Sequence, residues 1–122
     1  MKVAIPVDNN SMESSICMSF GRAPFFLIYD TETEDKKFIE NRASASQGGA
    51  GIKAAQILVD SGAEAVIAPR CGENAAQVIK AADLKLYKNF NNSITDNIEA
   101  LKKDQLDLLR DIHPGFHQHG RM

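Results

Sequence analysis

Residues 48–72 read GGAGIKAAQILVDSGAEAVIAPRCG, and this stretch decides the fold class. Gly48, Gly49 and Gly51 precede a helical repeat in which Ile52, Ala55, Leu58 and Val59 share one face, and Gly62 stops the repeat. Residues 63–68 then form an apolar run short enough for a central strand, and Pro69, which has no N–H for a ladder, ends it. The pattern recurs once. Residues 73–82 place Ala75, Ala76, Ile79 and Ala82 at helical spacing, and residues 84–87 make another short strand. Strands joined through helices in this way are parallel, because crossover connections are right-handed.

Toward the N-terminus the period is that of strands. Residues 2–7 are a mostly apolar, β-branched run that empties into a polar loop over 8–15. Residues 16–20 read as a short irregular strand, and residues 21–24 as a turn, since Gly21 permits positive φ and Pro24 fixes its own. Residues 25–30 (FFLIYD) and 37–41 (KFIEN) are two strands of a hairpin, with Lys, Glu and Asp guarding its exposed edge. Toward the C-terminus, Ser93 is an N-cap with Asp96 three residues on. Ile94, Ile98 and Leu101 follow at helical spacing, and the helical pattern continues through Leu108 and Ile112 after a break around Lys103 and Asp104. Pro114 and Gly115 end regular structure. The order βββαβαβα predicts an α/β protein with one mixed sheet and helices on both faces. Residues 1–112 are expected to form one domain, and residues 113–122 a flexible, histidine-containing tail.

The bulk numbers narrow the function. The chain has 122 residues, 43% of them hydrophobic and 25% charged, enough for one core and no second domain. The net charge is −2 and the pI about 5.9, so no global positive field exists for DNA, RNA or acidic lipid, and any bound anion must be caught locally. No N-terminal apolar core and no bilayer-length run is present, which predicts a cytoplasmic location. Cys17 and Cys71 are 54 positions apart, neither a zinc-type pair nor part of a disulfide framework, and both are expected as free thiols.

The opening AIPVD, the block Ser19-Phe20-Gly21-Arg22-Ala23-Pro24-Phe25-Phe26, the later Ile39-Glu40-Asn41 and the glycine run 48–51 together resemble the dinitrogenase iron-molybdenum cofactor biosynthesis family, a group that includes NifX, NafY and the C-terminal part of NifB. The resemblance covers roughly residues 2–101, and its most specific piece is Phe-Gly-Arg-Ala. It implies a ribonuclease H-like fold with a five-stranded mixed sheet, weakly ligated or non-covalent cluster binding, and no catalytic residues. Two departures stand out. Ser19 occupies a position often held by His, and Pro69-Arg70-Cys71-Gly72 stands where many members carry a pair such as Ile-Gly.

In a parallel α/β sheet, ligands collect outside the carboxyl ends of the strands, where residues 8–17, 45–51 and 70–74 are expected. The glycine run Gly48, Gly49, Gly51 opens a helix whose free N–H groups and positive dipole end favour an anion. It lacks the GK[ST] ending of a P-loop and the GxGxxG spacing of a dinucleotide site, and it reads equally as a plain turn. Cys71 follows a strand, precedes a helix together with Gly72, and has Arg70 beside it. That context lowers a thiol pKa and offers a thiolate to iron or copper; a small buried hydrophobe is the alternative. Cys17 is the second thiol, with inward packing as its alternative. Two thiols exclude a four-cysteine cluster within one chain. A dimer must then share the cluster, or His and backbone groups complete the shell, or a cluster carrying its own sulfides is held by hydrogen bonds and charge.

His113, His117 and His119 all fall in the tail HPGFHQHGRM, at spacings that let two or three imidazoles converge on one metal ion, or that simply mark a solvated tail. Arg22, Arg42 and Arg70 offer forked donors to sulfide or oxide faces, and Arg22 suits a structural turn role as well. The reading that follows is binding or carrying of an anionic metal-sulfur cluster of iron-sulfur or iron-molybdenum type. Its partners are cluster donor and acceptor proteins, with no nucleic acid and no membrane, and the chain is a monomer or weak homodimer. Two alternatives remain: a cofactor-free partner-binding module, and a metal-dependent nuclease. The nuclease is weakened because only Asp8 sits well at a strand end, with Asp30 and Glu64 elsewhere.

Overall fold

The computed structural model describes residues 1–110, 112 and 113. Strands β1 (Lys2–Val7), β2 (Phe25–Asp30) and β3 (Lys36–Glu40) come first, then a 3-10 turn at Arg42–Ala45. Helix α1 (Ala50–Asp60), β4 (Ala65–Ala68), the two-residue strand β5 (Cys71–Gly72), α2 (Glu73–Ala81), β6 (Lys85–Lys88), α3 (Ile94–Lys102) and β7 (Ile112–His113) follow. The main sheet has the order β3-β2-β1-β4-β6. β2 is antiparallel to both β1 and β3, whereas β4 runs parallel to β1 and β6. The mixed five-stranded sheet expected from the sequence is therefore the one observed.

Side chains alternate along each strand, so the sheet separates two apolar layers. Ala4, Phe26, Val66, Ala68 and Leu86 face one side, where Ala54, Ala55 and Leu58 of α1 and Ala75, Ala76 and Ile79 of α2 cover them. Val3, Ile5, Val7, Leu27, Tyr29, Ala65 and Ile67 face the other, against Ile94 and Ile98 of α3. Small residues dominate the facing stripes of α1 and α2, which lets their N-terminal ends approach closely: a Cβ built on Gly51 would sit 3.4 Å from the Ala75 Cβ.

Three expectations need correction. Ile52 was assigned to the packing face of α1, but that face is made by Ala50, Ala54, Ala55 and Leu58, and Ile52 stands 42% exposed. The helix starts at Ala50, two residues before Ile52, and its buried stripe runs along Ala50, Ala54, Ala55 and Leu58. Residues 16–20 form no strand; Ser15 and Ile16 make single bridges to Ser93 and Val7. The third helix does not continue toward Ile112. It ends at Lys102, with Asp104 in the left-handed region (φ 57°), and the chain turns away. The apolar spacing of Leu108 and Ile112 has a different cause. The segment crosses the outer edge of β6, where the Lys88 N–H donates to Asp107 O (2.8 Å) and the Leu109 N–H to Leu86 O (2.9 Å). Leu109 is buried in the α1/α2 layer, Ile112 packs against it, and β7 pairs in parallel with β5, Ile112 opposite Cys71 and His113 opposite Gly72.

Candidate functional site

The strand-end rim where α1 and α2 begin holds a cavity of about 650 Å³. Three segments wall it: residues 18–22, 47–52 and 70–75. Two of these segments match the expectation; the third replaces residues 8–17. That loop lies elsewhere because Ser14 closes it on itself, its hydroxyl accepting from the N–H groups of Asp8 and Asn9.

The third wall is the Phe-Gly-Arg-Ala block, and each of its residues has a structural reason. The Phe20 ring is buried against Phe26 of β2, centroids 5.4 Å apart. At Gly21 no side chain fits: an added Cβ would lie 2.8 Å from the Gly51 nitrogen and 2.9 Å from its Cα. The Arg22 guanidinium donates to the carbonyls of Ser44 (2.8 Å) and Ser46 (2.7 Å), binding the block to the turn that leads into α1. Asn41, only 1% exposed, completes the tie. Its amide donates to Gly21 O and Ala23 O, and its Oδ1 accepts from the Ala43 N–H. The rim is thus a braced loop seated on a helix start.

Both helices begin without a side-chain cap. Gly49 precedes α1 in the left-handed region (φ 69°), and Gly72 precedes α2 in an extended conformation. The first-turn N–H groups of Ala50, Gly51 and Ile52, and of Glu73, Asn74 and Ala75, are the orphan donors every helix start leaves. Here the residues of both first turns line one cavity, with Gly21 packed against the Gly51 nitrogen. Each helix end carries about half a positive elementary charge. Arg22 and Arg70 add two cations to the lining and Glu73 subtracts one, so the cavity is locally positive in a chain of net charge −2.

The cysteines do not take the expected role. Cys71 lines the cavity yet is only 1% exposed, and burial pushes its thiol up to about 12, against which the Lys80 charge has little effect. The expectation of a low-pKa thiolate assumed exposure beside a helix start. The extended backbone instead alternates, Pro69 inward, Arg70 outward and Cys71 inward, so Arg70 and the thiol do not share a face. Cys17 is half-buried and not part of the cavity lining; burial raises its pKa, with Asp8 adding to the rise. Arg42 is exposed on the 3-10 turn, outside the cavity. His113 enters through its backbone pairing with Gly72, while His117 and His119 lie outside the described residues. Among the described residues, no group of three or more His, Cys, Asp or Glu is placed to hold a metal ion.

Sequence reasoning missed Met18 as a wall residue. Met18 is 60% exposed and Ile52 42%, so two large apolar side chains stand at a cavity otherwise rich in backbone donors. The signal was present in the apolar residue at the start of Met18-Ser19-Phe20, but without the fold it read as part of a strand. No helix among the described residues is long and apolar enough to cross a membrane.

Comparison with known proteins agrees with this architecture. The chain is 31% identical over 110 residues to the Methanocaldococcus jannaschii protein MJ0580, covering 88% of this chain and 90% of the relative. An NMR structure of a Thermotoga protein of the DUF35 family, described as a NifB candidate, superposes with a TM-score of 0.77 at 35% identity, covering 88% of this chain and 92% of that one. The apo form of the orange protein from Desulfovibrio gigas gives 0.84 at 24% identity, covering 90% and 93%, a likeness of fold. Residues 1–104 match the dinitrogenase iron-molybdenum cofactor family, and the chain belongs to it.

Proposed function

We propose that the chain binds or carries an anionic metal-sulfur cluster as cargo, held at the cavity by backbone N–H groups and positive charge and not by thiolate ligation. One observation carries the reading: two uncapped helix N-termini and Arg70 open on the same cavity, whose glycine-rich walls let a guest approach the backbone. A cluster that brings its own sulfides needs hydrogen-bond donors and charge more than it needs cysteines, and that is the donor set present. Membership of the cofactor family supports the same class of guest. Cys71, buried and protonated at neutral pH, serves as cavity floor. His113, His117 and His119 are proposed as further metal ligands.

The role is one of carriage without chemistry, between a donor and an acceptor protein. A two-metal nuclease would need converging carboxylates, and Asp8 is an exposed residue outside the cavity.

The test is reconstitution with iron and sulfide, or with tetrathiomolybdate, followed by gel filtration and visible absorption. Colour should co-elute with the protein and weaken as salt rises. In Gly48→Asp it should be lost with the fold intact, because the space around Gly48 is open and an acid there repels the guest and neutralises the positive end of the helix. Undiminished colour in Gly48→Asp and Arg70→Glu would contradict the reading.

A further inference from the structure

Two of the three cavity walls come from acid-free stretches of the chain. Asp and Glu number 16 in all, yet residues 14–29 and 41–59, which supply the Phe-Gly-Arg-Ala wall, the 3-10 turn and all of α1 but its last residue, contain none. The cations of those stretches gather at the turn before α1. Arg22 donates to Ser44 O (2.8 Å) and Ser46 O (2.7 Å), Lys53 Nζ donates to Ser46 Oγ (3.3 Å), and Arg42 opens the turn itself. All three are exposed, as is Arg70 across the cavity. Among the described residues, ion pairs are made by the N-terminus and Lys102, none by these four. Arg42 and Lys53 stand outside the cavity lining, so their charge lies beside the place of a guest and not within it. Two acids border the patch, Glu40 before the turn and Glu73 in the lining.

The same rim carries apolar surface that an inorganic anion does not use. Of the four large apolar side chains exposed among the described residues, Met18 and Ile52 both stand at this cavity, whereas Phe90 lies in a separate cleft with Asp96 and Glu99. An apolar centre ringed by cations is the pattern of a protein interface, in which Met and Arg are favoured, and an unbranched Met adapts to the contour of a partner. Nucleic acid fits less well: Phe20, the aromatic residue of the lining, is buried and gives a base nothing to stack on.

We infer that this face docks a protein surface of complementary chemistry, an apolar centre flanked by carboxylates, with Met18 and Ile52 at the middle and Arg42, Lys53 and Arg70 pairing with the acids. A partner seated there covers the cavity mouth, so that a cluster donor or acceptor meets the guest directly; this last step alone rests on the function proposed above.

The test titrates the full chain, ¹⁵N- and methyl-labelled and free of cargo, with the synthetic peptide EEELLEEE and with KKKLLKKK. The acidic peptide should move the Met18 ε-methyl, the Ile52 δ1-methyl and the amides of residues 42–46 while the Leu27 methyls stay in place, and the basic peptide should move none of them. In Arg42→Gln/Lys53→Gln, two exposed positions whose replacement leaves the core untouched, the dissociation constant for the acidic peptide should rise about fivefold. No shifts, shifts confined to other residues, equal binding of the two peptides, or an unchanged constant in the double variant each overturn the docking face; the last would put the carboxylates in the cavity itself. Methyl signals that move with protein concentration before any peptide is added make a second copy the occupant and overturn it too, as does a DNA duplex that displaces the peptide. Peptide binding as expected, beside no uptake of tetrathiomolybdate, leaves the face standing and overturns the cargo reading instead.

Discussion

Gly21 and Cys71 show how much a single position can hide. Gly21 was legible as part of a family block and as a turn glycine, yet its actual constraint is the backbone of Gly51, thirty residues away, which no local rule contains. Gly21→Ala should cost about 1–3 kcal/mol by forcing the rim loop off α1, read as a lowered midpoint in urea unfolding, and an unchanged midpoint would refute the close packing. Cys71 was misread for a related reason: helix start and neighbouring Arg govern a thiol only when it faces them, and strand alternation turns this one inward. Its pKa is raised on folding, from 9.0 to about 12. The unfolded chain therefore ionises first, and the stability held by the neutral thiol is complete below pH 9 and is lost as pH rises toward 12. Stability measured from pH 8 to 11 should fall more steeply in the wild type than in Cys71→Ala, because the two proteins differ only in this thiol. At pH 8, iodoacetamide should modify Cys17 first and Cys71 only after unfolding.

Among the elements, the strands of the main sheet and the first two helices were readable to within a residue or two, because β-branched runs, glycine stops and alanine stripes are local signals. The C-terminal part was not. Leu108 and Ile112 continue a helical spacing that the chain does not use, since Asp104 in the left-handed region redirects the backbone and β6 offers an unpaired edge for it to cover. That edge pairing rewards a contact far along the sequence, which periodicity cannot register. Leu109 is the anchor of the crossing, 5% exposed in the α1/α2 layer. Leu109→Ala should destabilise by about 2–4 kcal/mol and should speed amide exchange at residues 107–109 and 112 more than in β1. Uniform exchange across the sheet in that variant would show that the segment contributes no anchoring of its own.

At the scale of the molecule, a weakly acidic chain builds one positive cavity by bringing two helix starts, a braced loop and an arginine to the same rim. The sequence disclosed the glycine run and Arg70 as candidates, and it excluded a global polyanion binder through its net charge. It did not disclose that residues 18–22 form the third wall, because that placement follows from Arg22 and Asn41 bonding across the turn before α1. The proposed affinity for an anion depends on the backbone donors of the two helices acting together. Its most direct test is an amide-resolved titration of the ¹⁵N-labelled protein with tetrathiomolybdate at low and high salt. The N–H signals of Ala50, Gly51, Ile52, Glu73 and Asn74 should move together and with one affinity, which salt weakens. If those signals stay fixed while others respond, or if only one of the two helices reports the anion, the shared cradle does not exist.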